Sequence, residues 1–343
     1  MRIRLKPIDQ QTIVITGASS GNGLAAALEA ARRGAAVVLV ARNGKSLERI
    51  ERDIVASGGR ATSVAVDVAS RGAAEEIVAK AVADFGGFDS WVNNAAAGVY
   101  GTLEQVPVED HERIFAVNYF GTLYACLAAA RHLKERGGGA IVNVGSILGD
   151  RAIIQQGPYS ASKHAIQGLT DTLRMELEHQ GAGISVTLVK PGGCGTPYPE
   201  HARNYMDNPP RIPQPLYHPD IIADAILFAC THRKRSIYVG GGGVAASLVG
   251  QLAPRITDLV MEAIGTRMQQ EPGDAGDPAM RDNLYRPKAD GEVSGTQKNW
   301  VRRSSVAVAL QKPSRGMWLG AAAAIGAAAL VAARIGKAGE AER

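Results

Sequence analysis

Cysteine is scarce. Cys126, Cys194 and Cys230 are the only three in 343 residues, and they stand far apart. An odd, dispersed set gives no disulfide framework, and a reducing compartment fits. The seven histidines are scattered, with no pair at helix spacing and no cysteine pair nearby. No structural or catalytic metal is therefore expected. Neither sign of charge dominates. The net charge of +5 reads as a solvated surface with a slight basic excess and points to no nucleic-acid partner. The N-terminal "MRIRLKPIDQ" lacks an apolar run of signal-peptide length, so it reads as a short arm before the first strand. No internal repeat at solenoid spacing is present.

What is present is apolar sequence, 45 % of the chain, enough for one substantial α/β domain with or without appendages. Strand-like and helix-like runs alternate from Gln11: "QTIVIT", "GLAAALEAARRG", "AAVVLVA", "KSLERIERDIVASGG", "ATSVAVDV", "RGAAEEIVAKAVADFGG", "FDSWVNNA". A long helical stretch near 110–136 follows, then "GAIVNVGS", a helix after Gly157, "GISVTLVKPGG", a helix near 219–230 and "SIYVGG". The strands are continuous apolar runs, as expected of strands buried on both faces. The expected fold class is α/β, a Rossmann-type doubly wound parallel sheet of about seven strands with helices on both faces.

Residues 1–265 form the expected catalytic domain. "GGGVAASLVGQLAPRITDLVMEAIG" adds an amphipathic helix pair that covers the pocket, forms an oligomer surface or touches a membrane. Residues 266–315 are polar and rich in Gly and Pro, and read as a disordered linker. Residues 316–335 hold an Ala/Gly-rich apolar helix. Its uncharged run of eighteen residues would reach about 27 Å, close to the ~30 Å hydrocarbon core. Four large apolar side chains supply only about −2 kcal/mol toward insertion. Membrane anchoring, a soluble helix and a disordered tail all stay open, and an anchor would keep the catalytic domain cytoplasmic.

"TGASSGNG" joins the first strand to the first helix, with Gly17, Gly21 and Gly23. Glycine permits positive φ and lets phosphates approach the backbone and the helix N-terminus, where free N–H groups and the dipole favour an anion. At the end of the second strand the chain reads Ala41-Arg42. A guanidinium there, with no carboxylate, favours a 2′-phosphorylated cofactor, NADP(H) over NAD(H).

"GPYSASKHA" puts Tyr159 and Lys163 four residues apart, hence on one helical face. A phenol titrating near ~10 needs roughly 3–4 kcal/mol to come down two to three units, and a close cation could supply much of it. Ser146 ends the preceding strand, where ligands bind in open parallel sheets. In this context the chain closely resembles the short-chain dehydrogenase/reductase family, over roughly Gln11 to Gly240. "TGASSGNG" matches the cofactor turn, with Ser19 and Ser20 between its glycines. Asp67-Val68 matches the adenine contact, and "NNAA", with Asn94, is similar to the motif that stabilises the central sheet beside the cofactor. Asn118 in "FAVNYFGT" matches the helix asparagine of a proton relay. Ser146, Tyr159 and Lys163 match the active site, and "PGGCGT", with Pro191, Gly192 and Thr196, looks like the segment passing the nicotinamide. Asn22 and Ala96 depart from the pattern without removing a reacting group.

The resemblance implies that Tyr159 exchanges a proton with the substrate oxygen and Ser146 orients that oxygen. Lys163 would lower the tyrosine pKa and bind the nicotinamide ribose, and Asn118 would hold a water linking Lys163 to solvent. Residues 193–218 resemble the substrate lid of this family. Tyr198, Tyr205, Met206 and Tyr217 either line an apolar pocket for a lipophilic carbonyl or pack the lid onto its own domain. The expected activity is hydride transfer between NADP(H) and a carbonyl/alcohol pair, in a homo-oligomer, with membrane contact through the C-terminal helix left open as above. The alternatives are a non-catalytic NADP-binding regulator or a membrane-tethered scaffold.

Overall fold

The computed structural model describes residues 3–270, 282–288, 291–297 and 300–312. The expected anchor at 316–335 lies outside the described residues.

Seven parallel strands form the central sheet: β1 Thr12–Thr16, β2 Ala36–Ala41, β3 Arg60–Ala65, β4 Ser90–Asn93, β5 Gly139–Val144, β6 Ile184–Pro191 and β7 Ser236–Val239. Their spatial order is β7-β6-β5-β4-β1-β2-β3, so the direction of winding reverses beside β1. That reversal opens a crevice at the carboxyl ends of β1 and β4. Alternate residues of one strand feed two different cores. Ile13 and Ile15 of β1, with Val37 and Leu39 of β2, join one cluster. Val14, with Val38 and Val40, joins the other. Burial on both faces explains why the strands read as unbroken apolar runs.

Helices α1 (Gly21–Arg32), α2 (Gly44–Ala56) and α6 (Pro219–Thr231) contribute Leu24, Ala27, Leu47, Ile50, Ile222 and Ile226 to the first cluster. On the other face, α3 (Ala73–Phe85), α4 (Val108–Glu135) and α5 (Gly157–His179) contribute Ile77, Ala81, Cys126, Leu133, Leu173 and Leu177. Among the described residues α4 is the one helix long and apolar enough to cross a membrane, but more than half of its most apolar 18-residue window is buried inside the protein.

Polar groups also cross the sheet interior. Asn93 Nδ2 donates to Asn143 Oδ1 at 2.9 Å, and Asn143 Nδ2 donates to Thr170 Oγ1 at 2.9 Å. Trp91 Nε1 donates to Asn93 Oδ1 at 2.8 Å. All of these side chains are buried, so each partner is needed.

Beyond β7 come α7 (Gly241–Leu252) and α8 (Pro254–Met268), the helix pair expected from sequence. Asp150 ties α7 to the sheet. It pairs with Lys190 of β6 at 2.6 Å and accepts from Ser247 Oγ at 2.7 Å. The paired side chains are 1 % and 6 % exposed. The outer side of the helix pair carries bare apolar groups, including Leu252, Ile256 and Leu259.

The described parts of 266–315 differ from the disordered linker read from composition. Leu284 is buried with Val99, Val106, Ile114 and Val117. Val301–Arg302 pairs in parallel with Leu216–Tyr217 of the lid. A last helix, α9 (Val306–Gln311), packs beside β7, where Gln311 Oε1 accepts from the Tyr238 amide at 2.9 Å. These contacts join backbone carbonyls, guanidinium groups and single apolar anchors, a mode of attachment that produces no period in sequence.

Candidate active site

The turn after β1 is held open by backbone geometry. Gly17 (φ +68°) and Gly21 (φ +54°) sit in the left-handed region. A Cβ on Gly23 would overlap the Gly17 carbonyl and the Asn94 side chain. Asn94 braces the same turn from β4: its Nδ2 donates to Thr16 O at 3.0 Å and Gly17 O at 3.3 Å.

A crevice of about 420 Å³ runs from this turn along the sheet's carboxyl edge. Gly17, Ser19, Ser20, Gly21, Arg42, Asp67, Val68 and Asn94 line it together with Ser146, Tyr159, Lys163, Pro191, Gly192 and Thr196, and Thr196 stands against Gly21. Gly23 and Asn118 are the two expected site residues that do not line it. Gly23 instead brings α1 close to the turn. Among the described residues Asn22 Oδ1 is buried without a partner at the crevice wall. The glycine cradle and this orphaned acceptor fit a dinucleotide.

Ser146 lies just past β5 and caps the 3₁₀ turn Ile147–Gly149, accepting from the Leu148 amide at 3.1 Å. Pro158 sits in the first turn of α5, where its missing N–H is harmless. That start aims Tyr159 and Lys163 into the crevice. Tyr159 hydrogen-bonds Ser146. Lys163 Nζ lies 5.5 Å from the Tyr159 ring centroid and donates to Val144 O at 2.9 Å.

Burial acts on both groups of the pair. The Tyr159 phenol is pushed up from its ordinary value, chiefly by burial, with the Ser146 hydrogen bond partly opposing the rise. Lys163 is itself buried, which brings its ammonium down to about 8. Desolvation of both groups outweighs the attraction that the spacing suggests. Tyr159 therefore holds its proton at neutral pH.

Asn118 lies close to the site without lining it. It lies in a π-turn, Ala116–Phe120, within α4. Its side chain accepts from the Ala97 amide at 2.8 Å and donates to Ala97 O at 3.1 Å and Ser162 Oγ at 2.9 Å. The amide is thereby committed to the loop after β4 and to α5, and Lys163 bonds Val144 instead. π-Turns are uncommon and cluster at functional sites, but the sequence carries no mark of one.

At the cofactor end, Arg42 is no isolated surface charge. Its guanidinium donates to the carbonyls of Asn283 and Leu284, the latter at 3.1 Å. Asp67 pairs with Arg113 at 2.5 Å.

Of the four lid side chains considered from sequence, Tyr198 and Tyr217 line the crevice. Tyr198 lies 5.4 Å from the Tyr159 ring, centroid to centroid, and donates to Gln156 at 3.3 Å. Tyr205 instead donates to Asp110 at 2.7 Å, and Met206 is buried beside Tyr100. Sequence reasoning missed several wall residues: Tyr100, Gln156, Ile212, Met261, Met268, Asn283 and Lys288. Tyr100 Oη is buried without a partner among the described residues.

Comparison with known proteins agrees with this geometry. A family model described as short chain dehydrogenase matches residues 11–206. An uncharacterized oxidoreductase of Bacillus subtilis, YxnA, is 40 % identical over 315 residues, 91 % of this chain and 88 % of that one. Among solved structures, L-sorbose reductase from Gluconobacter frateurii, complexed with NADPH and L-sorbose, superposes with a TM-score of 0.60 at 27 % identity. It covers 70 % of this chain and 98 % of the reductase. A short-chain type dehydrogenase/reductase from Mycobacterium marinum gives the same TM-score at 25 % identity, covering 69 % and 96 %.

Proposed function

The chain belongs to the short-chain dehydrogenase/reductase family, and from that premise we propose that it reduces a lipophilic carbonyl with NADPH, using Tyr159 as the proton donor. That it is an oxidoreductase moving hydride between a nicotinamide dinucleotide and a carbonyl/alcohol pair follows from its family. The direction, the preference for NADP(H) and the roles of single residues are the proposal.

A bound nicotinamide supplies or takes the hydride. The remaining work falls to the protein. The Ser146 hydroxyl, beside Tyr159, holds the carbonyl oxygen. Tyr159, kept protonated by burial, donates its phenolic proton as negative charge develops on that oxygen. Lys163, next to the ring, offsets the phenolate so formed and would help hold the cofactor's ribose. Asn118 keeps the Ala97 loop and α5 in fixed relation, so its part is positioning. Gly17, Ser19, Ser20, Gly21, Asp67, Val68, Asn94, Pro191, Gly192 and Thr196 hold the dinucleotide, with Gly23 giving the close approach. Arg42 favours a 2′-phosphate.

The apolar far wall, Ile212, Pro213, Met261 and Met268, supports a lipophilic substrate. The bare side of α7 and α8 supports an assembly or membrane surface next to that wall. The observation carrying the reading is the meeting of Ser146, Tyr159 and Lys163 in a crevice continuous with the glycine turn. The test is NADPH oxidation with a panel of aldehydes, ketones, quinones and steroids, comparing native enzyme with Tyr159→Phe. A variant that retains turnover on a substrate the native enzyme reduces sinks the assignment of Tyr159. Absence of any turnover across the panel by native protein favours a dinucleotide-binding regulator.

A further inference from the structure

Two stretches of the C-terminal region, 282–288 and 291–297, lie far beyond the 11–206 span of the family match, yet they touch the cofactor end of the crevice. Asn283, Pro287 and Lys288 line it together with Ser20, Arg42 and Asn43. The first stretch is firmly anchored. Leu284 is buried in an apolar cluster. Arg42 and Arg113 both donate to its carbonyl, at 3.1 and 3.0 Å. Tyr285 lies between two guanidinium groups, 5.9 Å from Arg113 and 5.2 Å from Arg203, and donates to Asp110 at 2.9 Å. Asn43, capping α2, donates to the Lys288 carbonyl at 2.7 Å. The second stretch crosses the start of α1, where Gly21 N–H donates to Glu292 O at 2.9 Å. It ends on Glu200, whose carboxylate accepts from the Thr296 amide and hydroxyl at 2.7 and 2.8 Å.

We infer that this segment is a clasp completing the dinucleotide site, in which Asn283 and Leu284 position Arg42 and Lys288 adds a second cation for the 2′-phosphate. The inference rests on the NADP(H) preference proposed above and locates part of that preference outside the strand-helix core. The physical argument is direct. A guanidinium on a flexible stem discriminates poorly unless its orientation is fixed, and two backbone carbonyls fix it. Lys288 lines the crevice, where its Nζ donates to Glu200 O at 3.1 Å, and a phosphate is a stronger acceptor than a carbonyl.

The test is calorimetric titration of the full chain with NADPH and, separately, with NADH. Lys288→Ala should weaken NADPH by about tenfold, the order expected of one charge-assisted contact, while NADH stays within about twofold. Lys288→Arg should restore NADPH binding. The double variant Leu284→Ala/Tyr285→Phe, which loosens the anchor without touching the crevice cations, should also lower the NADPH-to-NADH ratio, with melting curves confirming that it folds. If native protein binds NADPH no better than NADH, the underlying preference is wrong and the inference falls with it. If native protein prefers NADPH but the ratio is unchanged in all variants, or both dinucleotides weaken equally, the clasp does not discriminate. Tighter NADPH binding by the anchor variant would make the segment a competitor for the site and overturn the inference.

Discussion

The two ends of the crevice are built differently. The reacting end stands on β5, β6 and α5, elements buried in the sheet cores, and its groups are fixed by helical spacing and strand termini. Ile212 and Pro213 of the far wall come from the lid, and the clasp and the Met261 and Met268 side of that wall come from the region after β7. There α7 and α8 leave Leu252 84 % and Ile256 62 % exposed, and attachment depends on a few polar ties such as Asp150 with Lys190 and Ser247. The contrast teaches that the chemistry is carried by the part of the chain with the strongest apolar pattern. In the proposed reading, selectivity for substrate and cofactor falls to the lid and the region after β7.

The largest effect expected is at the reacting end. Tyr159→Phe should lower kcat by about 10²–10⁴-fold, the range of a lost general acid, while dinucleotide affinity measured by titration changes little. Equal loss of both would mean the ring serves structure. On the other side of the comparison, Asp150→Ala leaves the Lys190 ammonium buried and unpaired. It should cost about 3–5 kcal/mol in urea unfolding; an unchanged midpoint would show that the C-terminal helices hold on without this tie. Gly23→Ala forces a Cβ against backbone at the glycine turn and should cost about 1–3 kcal/mol, together with weakened binding of both NADPH and NADH. Retained affinity would remove Gly23 from the site.

The smallest effect is in pH. Lys163 is brought down to about 8 by burial, from the ordinary 10.5. Reduction at saturating substrate should decline as pH rises through about 8 and the ammonium is lost, and Lys163→Arg should abolish that limb. Stability moves the other way. Between about 8 and 10.5 the unfolded chain binds this proton more tightly than the folded one, so this group makes folding more favourable as pH rises across that window. A limb of equal position in the Arg variant would assign the titration elsewhere.

Much of the fold was legible because β1, β2, β4, β5 and β6 are buried on both faces, and such strands announce themselves as unbroken Val, Ile and Leu runs. The triad of Ser146, Tyr159 and Lys163 was legible because a strand end and a four-residue spacing are local facts. The direction of the Tyr159 shift was not, since it depends on how much protein surrounds the phenol. Nor was the true setting of Asn118, because one extra residue in a helical turn leaves no compositional trace. The clasp escaped for a further reason: Leu284 and Tyr285 are single anchors in polar sequence, and their partners Arg42, Arg113 and Arg203 lie 82 to 242 positions away along the chain.

The paired amides of Asn93 and Asn143 have a consequence for how the molecule forms. These residues sit opposite each other in the β4–β5 ladder, and Thr170 of α5 and Trp91 satisfy what remains. A slip of one residue would turn an amide toward the wrong face and leave its groups unsatisfied in hydrocarbon, at about 1–3 kcal/mol each. A purely aliphatic pair would tolerate that misalignment far better. The polar rung thus sets an energetic penalty against any frame in which the strand that delivers Ser146 is out of step.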